Sequence, residues 1–153
     1  WTSAKILSRW SLWSAKRNHR FSGTPFADDK NSSAYACNLV KYIYVSSGSQ
    51  YEPYYTFYTD SEGTKEFNKV LDLKREYKFQ RFNNSKDHPF YISDNGYEKP
   101  ASDKIKLTGD GSATVGIKGH ESFTLTFNGL TTDDTLTYYC TNHPVMTGTF
   151  TLV

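Results

Sequence analysis

The 153-residue sequence is poor in sulfur, with two cysteines and one methionine. Two cysteines exclude a small domain that is held together by several disulfides. No apolar run approaches the roughly 20 residues that a transmembrane helix needs, so no membrane span is expected. The chain begins at Trp1 without an initiator methionine and without a signal-peptide pattern, which we interpret as a processed mature chain.

Motifs of the common hydrolases are also missing. The sequence contains no G-x-S-x-G, no H-E-x-x-H and no P-loop, and no nucleophile is accompanied by a histidine and an aspartate at a familiar spacing. We therefore expect a protein that is not an enzyme.

Positive charge is concentrated at the N-terminus. The net charge of the chain is +2, but residues 1–22 carry five basic side chains and no acidic one, which leaves −3 for the other 131 residues. A mildly acidic body with a basic head differs from a uniformly basic nucleic-acid binder, so no nucleic-acid partner is expected.

Residues 1–37 form a basic, tryptophan-bearing extension that differs in composition from residues 38–153. Ile6, Trp10 and Trp13 recur at helical spacing, which predicts a short amphipathic helix around residues 3–17. One interpretation is an arm that packs on the body through its tryptophans. The other is an arm that contacts a partner or an acidic surface through Trp10, Trp13, Arg9, Lys16 and Arg17.

From Leu39 onward the pattern is typical of β-strands, with Thr, Tyr, Phe and Val dominant. Alternation places Phe123, Leu125 and Phe127 on one face of their strand, and Phe150 and Leu152 are candidate core residues. Turn-forming residues separate the runs, which favours an all-β sandwich or barrel. The predicted strands are 39–46, 54–59, 68–73, 76–82, 88–93, 103–108, 113–118, 121–128, 135–140 and 147–153.

The rare sulfur-containing residues cluster with histidine. Cys140, His143 and Met146 follow one another at intervals of three in a loop between two predicted strands, and His88 lies at the start of another strand. Two imidazoles, a thiolate and a weak thioether are the donor set that selects copper. A disulfide between Cys37 and Cys140 is the alternative for the cysteine, but it explains neither His143 nor Met146.

The stretch Tyr138–Val153 (YYCTNHPVMTGTFTLV) resembles the C-terminal ligand loop and last strand of the cupredoxins, the plastocyanin and amicyanin family of blue copper proteins. Its C-x2-H-x2-M spacing is similar to that of the short-loop, amicyanin-like members. The segments Tyr55–Phe57 and His88-Pro89-Phe90 are compatible with the same family. The resemblance implies an all-β, cupredoxin-like Greek-key β-sandwich over residues 38–153.

The same resemblance implies a site. His88, Cys140 and His143 would be the equatorial ligands of one copper ion that cycles between Cu(II) and Cu(I), and Met146 would be the axial ligand. His143 would also present an exposed imidazole edge for electron transfer. Tyr139 would face outward and serve a second, longer path.

The residues next to these ligands would support them. Pro89 and Phe90 follow His88, and Pro144 follows His143. Pro89 departs from the family pattern, because the residue after the first histidine commonly donates its backbone N–H to the cysteine sulfur and proline has none. One hydrogen bond that tunes the thiolate would therefore be missing.

Two functions follow as expectations. The first is a type 1 copper protein that carries single electrons between redox protein partners outside the cytosol, in a periplasm, in a lumen or as a secreted protein. The alternative is a cupredoxin-like structural or binding module with a vestigial site, a subunit of a surface layer, filament or particle whose arm contacts a neighbouring subunit. A copper-delivery protein is a third option. Outside the ligand set, His19 and His120 are assigned surface or structural roles.

Overall fold

The computed structural model describes residues 39–153. Within them, Val40–Val153 form one compact unit. The predicted N-terminal arm, with its helix and its candidate docking residues, lies outside the described residues, as does Cys37. The strands of the described part are β1 Lys41–Val45, β2 Phe57–Tyr58, β3 Val70–Leu71, β4 Tyr77–Arg81, β5 Phe90–Ser93, β6 Ile105–Gly109, β7 Ser122–Phe127, β8 Leu136–Cys140 and β9 His143–Leu152.

The strands form two sheets, and helix is confined, over residues 39–153, to one short 3-10 turn at Phe82–Asn84. The first sheet has the order β2-β1-β4-β7-β6 and the second has the order β3-β9-β8-β5. β1 runs parallel to β4, β3 runs parallel to β9, and the other pairs are antiparallel. The all-β expectation is confirmed, and the fold is sandwich-like.

Aromatic rings fill the space between the sheets. Phe57 and Phe79 of the first sheet contact rings of the second, with centroid distances of 5.3 Å from Phe57 to Phe150 and 5.8 Å from Phe79 to Phe90. Leu152 and Phe150 are buried as predicted, and so are Phe123 and Leu125, whereas Phe127 is only partly buried. Aromatic contacts of this kind stabilise the packing of the two sheets beyond the burial of apolar area alone.

Four predicted strands differ clearly from the structure, and two of them, 54–59 and 68–73, shorten to the two-residue strands β2 and β3. Residues 113–118 do not form a strand, because only Ile117 pairs, in an isolated bridge with Phe90. β9 begins at His143 rather than at 147, since Cys140 and His143 pair directly across a turn. The predicted ligand loop is therefore a two-residue turn, Thr141–Asn142, between two paired strands.

The prediction that Tyr139 faces outward is also wrong. β8 is an inner strand of its sheet, and all five of its residues are buried. The Tyr97 ring lies 5.1 Å from the Tyr139 ring, and the Tyr139 hydroxyl donates to the Ala113 carbonyl at 2.7 Å. The segment between β5 and β7 thus covers the face of β8 that alternation assigned to solvent.

Candidate metal centre

The sheet containing β5, β8 and β9 brings three sequence-predicted ligands together. Cys140 is the last residue of β8, where it is the register partner of Phe90 on β5 and of His143 at the start of β9. His88 lies two residues before β5. Antiparallel pairing of β8 with both neighbours therefore closes a gap of about fifty residues in the chain.

The donor atoms of His88, Cys140 and His143 all lie within 4.8 Å of one another. The two imidazole Nδ1 atoms are 3.1 Å apart, and the Cys140 Sγ lies 3.5 Å from Nδ1 of His143 and 3.9 Å from Nδ1 of His88. These are the separations of three atoms that each lie about 2.0–2.3 Å from a common centre, the usual range for metal bonds to nitrogen and sulfur. The group can therefore hold a metal ion.

Burial and charge favour the neutral, metal-binding form of His88. Cys140 is a fully buried free thiol, and both histidines are partly exposed. Burial, and then the neighbouring His143 imidazole, lower the pKa of His88 below its ordinary value. A lowered pKa keeps the imidazole neutral, and so available as a metal ligand, to a lower pH.

Met146 lies on β9 and is fully buried. Its methyl carbon packs against Gly48, where an added Cβ would lie 3.0 Å from that carbon and 2.8 Å from the Tyr55 ring. Gly48 has a φ of +84°, so glycine is required there both by the turn and by the close approach of these two side chains.

The segment that carries His88 adopts an unusual backbone conformation. His88 has a φ of +45° although it precedes Pro89, a position that normally favours extended conformations. Its carbonyl accepts hydrogen bonds from the Tyr55 hydroxyl at 2.8 Å and from the Arg81 guanidinium at 3.0 Å. These two buried donors hold the ligand segment in place.

The residues after His88 join it to the other ligands. The Pro89 carbonyl accepts from the backbone N–H of Thr141 at 3.0 Å, directly beside Cys140. The Phe90 N–H donates to the Ile117 carbonyl at 3.1 Å, and its ring is fully buried 5.2 Å from the Tyr55 ring. Pro89 thus supports the site through its carbonyl, because its nitrogen has no hydrogen to donate to the sulfur.

Three contributors to the site were not predicted from the sequence: Tyr55 as a donor, Arg81, and Gly116, which lies directly against the Pro89 and Phe90 backbone. The motif Y-K-F-Q-R of β4 contained a signal for Arg81, because alternation places it on the same inward face as Tyr77 and Phe79. A charged residue at an inward position of an aromatic strand indicates a specific role. No comparable local signal marks Gly116, whose neighbours are distant in the chain.

Outside the cluster, Pro144 and Val145 are exposed beside His143, and the Val145 side chain is 58 % accessible. His120 is exposed and does not belong to the group. Among residues 39–153, no helix has the length and apolar character that crossing a membrane requires. Comparisons of the chain with protein-family models, with curated proteins and with solved structures found no match.

Proposed function

We propose that the protein is a type 1 (blue) copper protein that carries single electrons between redox partners. The observation that carries the proposal is the convergence of His88, Cys140 and His143 at one end of a β-sandwich, with the chain's single methionine buried on the strand that begins at His143. The copper ion would supply one-electron exchange between Cu(II) and Cu(I).

The donor set favours copper over zinc. A structural zinc site is closed by four strong cysteine or histidine ligands, whereas this cluster contains one thiolate and two imidazoles and no carboxylate. Two imidazoles and a thiolate with a weak axial thioether are typical of copper sites that transfer electrons. Met146 is the only methionine available for that axial position.

A cupredoxin-like Greek key is part of the proposal, and the support for a carrier comes from how the ligands are held. In the register of the second sheet, Cys140 and His143 are paired residues at the end of a hairpin, and the fully buried core beneath them is aromatic. Ligands on paired strands over a close-packed interior change position little when the charge of the ion changes. Small rearrangement is what a one-electron carrier requires.

The surface around His143 is suited to contact with a redox protein. Pro144 and Val145 are exposed and uncharged beside a partly exposed imidazole, so this side of the ring offers a partner an uncharged surface. The second path, through Tyr139, would continue to Tyr97, whose ring is the next one outward. We further propose that the protein works outside the cytosol, and that it is a binding protein or carrier and not an enzyme.

The test is a spectrum of the chain loaded with Cu(II). We expect an intense visible thiolate-to-copper band and a narrow copper hyperfine splitting in the EPR spectrum, both lost in Cys140→Ser. His120→Ala is the matched control, since it removes an exposed histidine outside the cluster and should leave both signals unchanged. A loaded, oxidised chain without the band would refute the proposal.

The alternative function gives a different result. A structural or binding module with a vestigial site would bind no metal at His88, Cys140 and His143, and its assembly would depend on residues 1–37. Removal of residues 1–37 followed by a measurement of oligomer size separates the two, because a carrier is expected to keep its oligomeric state and its copper.

A further inference from the structure

Arg81 is a buried cation whose hydrogen bonds all go to backbone carbonyls, and its guanidinium also lies 6.0 Å from the centre of the Tyr55 ring. Its side chain is 3 % exposed, and its two terminal nitrogens donate to four carbonyls at 2.9–3.0 Å. These carbonyls belong to three separate segments of the chain. They are those of Ser46, Asp87, His88 and Ile117.

No carboxylate in the described part of the chain forms an ion pair with Arg81. The ion pairs of residues 39–153 involve Arg75 and Lys104, and Arg81 forms none of them. Its Nε has no hydrogen-bond partner. Burying an unpaired cation costs stability. An apolar residue would avoid that cost but would remove the donors that Arg81 supplies to four carbonyls. The guanidinium contributes through the bonds it makes, because its planar fork of N–H donors can bridge several carbonyls at once.

The carbonyls that Arg81 binds frame the His88 ligand segment. His88 has a positive φ before a proline, a strained conformation that persists only when its surroundings impose it. Arg81 binds the carbonyls of His88 and Asp87, and also that of Ile117, which pairs with Phe90 just after the ligand. The guanidinium is therefore bonded both to the strained segment itself and to the neighbouring segment that pairs with Phe90.

We propose that Arg81 is a positioning residue for the metal centre, which holds His88 in the ligand conformation through its bonds to the surrounding carbonyls. This inference rests on the proposed metal-binding function. The hydroxyl of Tyr55, bound to the same His88 carbonyl, assists it. Pro89 has no N–H, so it cannot restrain the ligand segment by donating a hydrogen bond to the thiolate. Arg81 and Tyr55 restrain this segment instead, from the protein interior.

The experiment compares Arg81→Lys and Arg81→Met with the wild-type full chain by titration with Co(II), read from the thiolate-to-cobalt absorption. Lysine keeps the positive charge but cannot bridge three segments with one nitrogen. We expect both variants to lose roughly 10- to 100-fold in affinity, as is usual when a group that orients a ligand is removed. We also expect a shifted thiolate band, which a purely structural role would not produce.

The matched control is Tyr77→Phe on the same strand. It removes the hydroxyl that accepts a hydrogen bond from the Asp72 N–H at 2.8 Å, so it lowers stability without touching the ligand segment, and it should keep wild-type affinity and band. If Arg81→Met does not fold, Arg81→Lys and Tyr55→Phe provide the test. Tyr55→Phe should weaken Co(II) binding less than Arg81→Lys, because Arg81 still donates to His88.

The outcomes separate this inference from the proposed function. If Arg81→Lys keeps wild-type affinity and an unchanged band, the positive charge alone is sufficient and the positioning role is overturned. The metal site itself would stand. Equal losses in Tyr77→Phe would also overturn it, because general destabilisation would then explain the result. A wild-type chain that binds neither Co(II) nor copper would overturn both.

Discussion

Replacement of Gly116 by alanine tests how closely the fold supports the His88 segment. Gly116 is buried, and its φ lies outside the region reserved for glycine, so alanine introduces no backbone strain there. The added Cβ would lie 2.6 Å from the Pro89 carbonyl carbon, 2.7 Å from the Phe90 nitrogen and 2.8 Å from the Pro89 oxygen. All three atoms are backbone and cannot rotate away.

The magnitude follows from these distances. Ordinary van der Waals contact begins at 3.4 Å, so the two segments must separate by roughly 0.8 Å. This displacement would weaken the reciprocal bonds between Phe90 and Ile117 and would move the residue next to His88. We expect a loss of about 1–3 kcal/mol in the free energy of unfolding, which is usual for overpacking. Metal affinity should fall roughly 10-fold or more because a ligand is displaced.

The assay combines urea unfolding of the metal-free chain with the Co(II) titration. Gly148→Ala is the matched control, since its Cβ would also overlap a neighbour, but that neighbour is the Tyr138 side chain and not the ligand backbone. Both variants should lose stability, and only Gly116→Ala should lose affinity. Unchanged affinity in Gly116→Ala, or an equal loss in Gly148→Ala, would refute the reasoning.

Two further predictions concern the fold. Phe57→Ala removes a fully buried ring between Phe90, Tyr138 and Phe150, and it should cost about 3–5 kcal/mol in urea unfolding; a loss below 1 kcal/mol would contradict the packing described here. The Lys104 side chain and the hydrogen bonds from Thr131 lower the pKa of Asp134 to about 2. The ionised carboxylate therefore stabilises the fold at pH values above the ordinary pKa of 3.8, and this contribution disappears as the pH falls toward 2. Asp134→Asn should therefore be less stable than wild type at neutral pH and converge with it in acid, and a difference that grows in acid would contradict the ion pair.

Local pattern was sufficient for most of the strands. Alternation in SFTLTF and TFTL corresponds to strands whose inward residues, such as Phe123, Leu125 and Phe150, are buried. It failed for residues 113–118, where alternating apolar residues pack as a turn and a bridge instead of a strand. Periodicity describes one segment, whereas pairing requires a partner strand with free backbone groups beside it.

Residue type and spacing alone determined which side chains are candidate ligands, because the chemistry of a thiolate, two imidazoles and a thioether does not depend on the fold. Only the tertiary structure decided how the site is held. The bonds of Arg81, the contact of Gly116 with Pro89 and the burial of Tyr139 all join residues that are distant in the chain. Contacts of this kind arise when separate segments fold against one another, and no local sequence pattern specifies them.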